Sequence, residues 1–264
     1  MKRNKAKIIL TIFITILASI LLLTGCHKKY DLAQLAKEEA EAQAAEESAE
    51  SQNTTDSEGE NSEESKENDE AEEEKDVSAP STILGNTTSN SYSNSYYGLK
   101  FSAPNNDWYL ASDSELAQVM NQKNINDEVL LKVLNETGFI MDMYAVNTSA
   151  DADSDIFDSV SVTIENISKL YSVILTEQEL ADASLPSIKN DLSAQGGKNV
   201  KAEVVETVVA GSPRVCISSS ADMDKSKIYQ KMVYIKKDTF VACITVTSFG
   251  SDKTDSILKA FAAL

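Results

Sequence analysis

The feature that most limits what this chain can fold into is a polyanionic tract with no means of folding by itself. Between Asp31 and Asp76 stand nineteen acidic and three basic side chains, within a 264-residue chain whose formal charge is −18. From Ser51 to Ser81 the residues are Ser, Glu, Asn and Asp with almost nothing large and apolar. Low hydrophobicity joined to like charge cannot offset the entropy of ordering, so a disordered stalk is expected here. Asp31 to Glu50 is rich in the helix formers Ala, Glu, Leu and Gln. Only Leu32 and Leu35 offer bulky contact, so a fraying helix or coil is expected and a coiled coil is not. Sixty residues of flexible coil span ~45 Å, and repulsion among the acids extends them further. Residues 82–95, rich in Ser, Asn and Thr, read as more linker. The foldable part is therefore placed at residues 92–264, about 170 residues, enough to bury ~70% of its surface.

The start of the chain has a different character. Lys2, Arg3, Lys5 and Lys7 precede an uncharged apolar run from Ile8 to Leu23, which ends in Leu23-Thr24-Gly25-Cys26. A basic start, an apolar middle and a small-residue exit are the parts of an export signal. The ending resembles the lipobox of bacterial lipoproteins. That resemblance implies a signal peptide over residues 1–25, cleavage between Gly25 and Cys26, and a diacylglyceryl group on the Cys26 sulfur. Residues 26–91 then form the lipidated N-terminus and linker. The apolar run is short of the ~20 residues that span a bilayer. An uncleaved transmembrane anchor is the alternative, and either reading places the remainder outside the cytoplasm. The acidic balance speaks against nucleic acid and against electrostatic docking on anionic lipid, since both need a basic footprint. Attachment to the cell membrane must then come from the lipid: one acyl chain binds marginally, whereas two or three hold.

Within residues 92–264 the punctuation is readable. Leu99, Phe101 and Ala103 alternate as a first strand, ended by the turn Pro104-Asn105-Asn106-Asp107. Ser112 with Glu115 makes a capping box that opens a short helix through Met120. Asn126 is positioned to cap a second helix bearing Val129, Leu130, Val133 and Leu134, with Gly138 closing it. Phe139 to Val146 reads as a strand covered on both sides, with Asp142 the exception within it. Val160, Val162 and Ile164 alternate with Ser161, Thr163 and Glu165 as a half-buried strand. Thr176 and Glu179 form another capping box, before a helix with Leu180, Ile188 and Leu192 at four-residue steps. Pro186 is expected to kink or split it, and Gly196-Gly197 to stop it. Four strands follow as a meander near 199–209, 212–219, 227–236 and 239–247, with tight turns at Ala210-Gly211-Ser212 and Lys237-Asp238. Ser251 or Asp252 is expected to cap a C-terminal helix with Ile257, Leu258, Phe261 and Leu264 in one stripe.

Runs of antiparallel strands with helices before and after them predict an α+β fold, a single antiparallel sheet with helices packed on its faces. The opening Tyr97-Gly98-Leu99-Lys100-Phe101 through Pro104 and Trp108, the helix before the strand Val200 to Val209, and the closing strand and helix resemble the PsbP-like α/β/α sandwich. The resemblance covers residues 92–264. It implies a fold and no activity, because that fold serves as an accessory or binding module in its better-known members. Metal ligation by histidine, described for some members, cannot be carried over: the one histidine of the chain is His27.

A folded domain without histidine excludes Ser-His-Asp and Cys-His catalysis and a His-based zinc site. Cys216 and Cys243, on non-adjacent strands of the meander, stand ~9.6 Å apart at two strand spacings. A disulfide needs Cα atoms within about 7 Å, so two separate buried thiols are expected. Asp151-Ala152-Asp153-Ser154-Asp155 with Asp158 superficially suggests calcium. Ile156 and Val162 stand where an EF-hand loop needs Gly and Glu, so weak binding at most is expected and a solvated loop is the simpler reading. Asp142 is the acid to check for burial, with a hydrogen-bonded structural aspartate as its plainer explanation. Trp108, Tyr97 and Tyr109, with Tyr92 and Tyr96, could form an aromatic platform for sugar or peptide, or belong to the core. No cofactor and no metal is expected.

Three functions stay open at this point. One is a lipid-anchored, non-enzymatic protein of the extracytoplasmic face that presents a binding or accessory domain to a protein or cell-wall partner. Another is a ligand-capture or transport-accessory lipoprotein. The last is a carboxylate-dependent cell-envelope hydrolase, which would need two acids about 5–10 Å apart in a cleft.

Overall fold

The structure, a computed structural model, describes residues 83–120, 130–134, 138–149, 156–167 and 175–264. Gly25, Cys26, the acidic tract, Asn126, Val129 and Asp151 to Asp155 lie outside the described residues. The order is β1 (Asn86–Thr87), β2 (Ser91–Asn94), β3 (Leu99–Ser102), β4 (Trp108–Leu110), α1 (Asp113–Val119), β5 (Phe139–Asn147) and β6 (Ser159–Asn166). There follow α2 (Glu177–Ala194), β7 (Lys198–Val209), β8 (Ser212–Asp222), β9 (Lys227–Lys237), β10 (Phe240–Phe249), α3 (Thr254–Leu258) and β11 (Phe261–Ala263). Residues 130–134 are helical.

The fold class is the one expected, α+β on an antiparallel sheet. Seven strands in the order β4-β5-β6-β10-β9-β8-β7 make the main sheet, and a small four-stranded sheet, β1-β2-β3-β11, is added to it. The meander is present as expected. Its first hairpin turns at Ala210-Gly211, both at positive φ, and its last at Asp238, φ 53°. One face of the main sheet sets Ile140, Met143, Val160, Val162, Val233 and Ile244 against the small sheet's Tyr92, Leu99, Phe101 and Phe261, together with Leu130, Val133, Leu134, Ile257 and Leu258. The other face sets Phe139, Met141, Tyr144, Ile217 and Met232 against Ala181, Ile188 and Leu192 of α2, Leu116 of α1 and Met120 at the end of α1. Each fully buried side chain of this size contributes ~1.5–3 kcal/mol, so the sheet is fixed from both sides.

Helix α2 begins as its capping box requires. Glu179 N–H donates to the Thr176 hydroxyl at 3.2 Å, and Thr176 N–H donates back to the Glu179 carboxylate at 2.6 Å. Those bonds from Thr176 hold the Glu179 carboxyl below the usual carboxylate range. Glu177 ties the same end to the sheet, accepting Lys236 N–H at 2.9 Å and the Arg214 guanidinium at 3.3 Å. Ala181, Ser184, Ile188 and Leu192 form the buried stripe. Pro186 does not split the helix, which runs from Glu177 through Ala194.

Three expectations are corrected. Ile83, the first described residue, is fully buried, so the folded part includes residues before 92, and β1 and the start of β2 lie in the stretch read as linker. Short Ser, Asn and Thr side chains hid a strand pair whose support comes from a neighbouring sheet. Strand β6 is covered on both faces: Ser161 and Thr163 are buried, not solvated. The C-terminal helix stops at Leu258, after which Phe261 pairs with Phe101 in β3 and Leu264 is left 65% exposed. Asp252 does act at its start, accepting Thr254 N–H at 3.0 Å, although the capping position itself is Lys253. Strand β5 is covered on both sides as expected, and it is also irregular. Met141 opposes Thr163 and Met143 opposes Val162, so Asp142 is the extra residue of a β-bulge. The slip moves the helix-facing side from Phe139 and Met141 to Tyr144 and Val146, which is why apolar residues occupy both parities.

Candidate functional site

Asp142, re-aimed by the bulge, is the most constrained acid among the described residues. Its carboxylate accepts Gly85 N–H at 2.9 and 3.1 Å, the Tyr92 hydroxyl at 2.6 Å and the Asn94 amide at 2.9 Å. Asn94 also donates to the Ile83 carbonyl at 2.8 Å and accepts Tyr97 N–H at 3.0 Å. One carboxylate thus fastens the first strands of the fold to the main sheet. Burial raises its carboxyl to about 6, against the lowering effect of the bonds from Tyr92, Gly85 and Asn94. The Tyr92 hydroxyl is in turn pushed well up by burial and by the facing Asp142 charge. Glu165, partly buried, is raised to about 7 by burial. It follows Val162 and Ile164 in alternation, so it stands on the α2 face, whereas Asp142 reaches the small sheet on the opposite face. The sheet separates the two acids, and neither is among the residues lining the two clefts described below.

The aromatic residues singled out by the sequence are divided in the same way. Trp108 is 8% exposed and meets Phe101 edge-on at 6.3 Å; Tyr97, 9% exposed, belongs to the same layer. Tyr109, between Trp108 and Leu110, packs on the other face and donates to Glu115 at 2.6 Å. These three rings therefore share no common surface. Tyr96 ties the small sheet to the last hairpin, donating to Asp238 at 2.8 Å beneath the Lys237 ammonium, 4.6 Å from the ring centre. Cys216 and Cys243 are buried thiols not joined in a disulfide; they lie on opposite faces, and burial pushes Cys216 up to about 12.

Two clefts lined by described residues are open to solvent. One, of about 370 Å³ at the strand ends, is lined by Asn147, Ser149, Asp158, Ser226, Phe249 and Lys253, among others. Asp158 is occupied there, accepting Phe249 N–H at 3.1 Å and the Lys253 ammonium at 2.8 Å. The other is a groove of about 480 Å³ over β7, β8 and β9, where the small sheet no longer covers the main one. Lys201 opposes Ser220 and Glu203 opposes Ser218; Ser220 in turn opposes Tyr229. The strand pleat brings these side chains to one face. Lys227 stands 5.4 Å from the centre of the Tyr229 ring and bridges to Asp222 at 3.8 Å. An upright ring among hydroxyls and mixed charges is a surface for stacking and hydrogen bonding. Sequence reasoning missed this groove, although the run Ser218-Ser219-Ser220 opposite Tyr229 was the signal for an uncovered strand face. Among the described residues no group of His, Cys, Asp and Glu is placed to hold a metal.

No family model and no curated protein matches this chain. Among solved structures it is similar to LpqN of Mycobacterium tuberculosis, described as involved in cell envelope biogenesis, at 12% identity and a TM-score of 0.35, covering 61% of this chain and 76% of that one. It is similar also to the cyanobacterial PsbP of Synechocystis, at 11% identity and a TM-score of 0.36, covering 67% and 95%. A Pseudomonas aeruginosa protein of unknown function follows at 12% identity and a TM-score of 0.24, covering 36% and 62%. Likenesses this slight say nothing about the site.

Proposed function

We propose that this chain is a lipid-anchored protein of the extracytoplasmic face whose domain is a non-enzymatic binding module, with the β7–β9 groove as its contact surface. The anchor rests on Leu23-Thr24-Gly25-Cys26, with Cys26 as the lipidated residue. The observation that carries the binding reading is the open, polar groove around Tyr229, set on the strand meander. Against the hydrolase reading stands the placement of the buried acids: Asp142 is saturated with donors, and Glu165 is across the sheet from it. Against the ligand-capture reading stands the openness of the two clefts that described residues line, since a small-molecule receptor encloses most of its ligand. The partner is a protein or cell-wall polymer able to stack on one ring and hydrogen-bond to serines.

Cross-linking of the full-length protein in intact membranes, followed by its capture, tests the reading. Wild-type chain should bring down a partner that Tyr229→Ala loses while its melting point holds. Equal capture by both would remove the groove from the proposal. Metabolic labelling with a fatty-acid analogue should mark the wild type and not Cys26→Ala, and unlabelled wild-type protein in the medium would end the anchor claim.

A further inference from the structure

Strand β7 ends the main sheet, and no described strand pairs with its outer side. An edge of twelve residues is a template for another strand. Its hairpin fixes which backbone groups point outward. Ala210 and Gly211, at φ 52° and 79°, join Val209 to Ser212, the two-residue turn in which the flanking pair is hydrogen-bonded. Counting back in steps of two, Thr207, Val205, Glu203 and Lys201 bond to β8, so Val208, Glu206, Val204 and Ala202 aim their N–H and C=O groups away from the sheet.

An identical strand laid antiparallel must match outward residues with outward ones, so the two-fold axis passes through a residue. A centre at Lys201, Glu203 or Glu206 would oppose like charges. A centre at Val204 or Val205 would set both glutamates against uncharged residues. Only Ala202 sets charge against charge, because Lys201 then faces Glu203 of the second copy on both sides of the axis. On the other face Ala202 meets Ala202 and Val200 meets Val204, the apolar β7 side chains that already pack on the α2 layer. Lys201 and Glu203 are exposed and free to pair in this way. The bulge between Lys198 and Lys201, with Asn199 at φ 52°, limits regular contact to residues 201–203 of each copy, with the bulged Val200 beside Val204 at either end.

We propose that two copies of this chain associate through β7 about an axis at Ala202, joining two seven-stranded sheets into one. Opposite charges facing across strands stabilise the pairing and like charges oppose it. The grooves beside Lys201 and Glu203 then adjoin, and a long partner meets two Tyr229 rings on one continuous sheet.

The test uses the full-length chain in membranes or detergent. In the proposed register Ala202→Cys places two sulfurs on residues with Cα atoms ~5.5 Å apart, within disulfide range, so mild oxidation should give a covalent dimer above the background of the unsubstituted chain. Glu206→Cys, whose copies stand eight residues apart in that register, should give none. Lys201→Glu and Glu203→Lys should each lower Ala202→Cys cross-linking about tenfold, and the two together should restore it. That restoration also excludes misfolding as the cause. Equal cross-linking at 202 and 206, none at 202, or indifference to the charge exchange would overturn the proposal. Partner capture through Tyr229 can survive such a failure, so the two readings fall separately.

Discussion

Strands β5 and β6 lie between two packed layers and keep almost nothing in water, whereas β7, at the far edge of the same sheet, exposes Lys198, Asn199, Lys201, Glu203, Glu206 and Val208. In the covered region a polar side chain must find its partners inside the protein, and Asp142 does so with Gly85, Tyr92 and Asn94. At the open edge a polar side chain loses no hydration, so its charge is available to whatever approaches. Buried polarity here determines how the chain folds. Exposed polarity determines what the fold can meet.

The hardest way to break this contrast is Asp142→Ala. It strands three buried donors at ~1–3 kcal/mol each, so stability should fall by about 5 kcal/mol in denaturant unfolding. Trp108→Ala should cost about 4 kcal/mol with a matching fall in melting point, because the ring fills core between β4 and Phe101. A melting point that held would return Trp108 to the ligand-contact role.

The pH dependence follows from Asp142 with a definite sign. Its folded value of about 6 lies above the ordinary 3.8, so the folded chain holds the extra proton between those limits. The stability from this group is complete below pH ~4 and is lost as pH rises through 6. At 1.36 kcal/mol per unit that is about 3 kcal/mol. The difference between wild type and Asp142→Asn, measured from pH 4 to 7, should show it, and parallel curves would contradict it. At the open edge the effects shrink. Tyr229→Ala should change stability by under ~1 kcal/mol and Lys201→Glu by under ~0.5 kcal/mol, while partner capture and cross-linking respond strongly.

Much of the architecture was legible because period-two alternation and turn residues carry it. Ala210-Gly211, Asp238 and the Thr176–Glu179 capping box each act locally, and each lies where its chemistry required. What could not be read depended on a distant partner. Asn86 and Thr87 are strand only because Tyr92 and Ser93 pair with them. Phe261, in a run of alanines that favours helix, is strand because Phe101 waits opposite. Thr163 looked solvated because nothing in its own segment announces the layer over β6. Asp142 was noticed as an anomaly, yet a one-residue bulge changes no composition, so neither its slip nor its donors could be foreseen. The groove was invisible for the complementary reason: it exists where a second layer is missing.

Gly85 and Tyr92 have a mechanical consequence. A pull applied at Ile83 acts two residues before the amide that Asp142 grips. The opening strands hold to the main sheet there by a carboxylate latch instead of by shared ladder bonds, so a pull should peel them away while the meander stays intact. Acidification toward pH 4 would change the force at which that latch lets go.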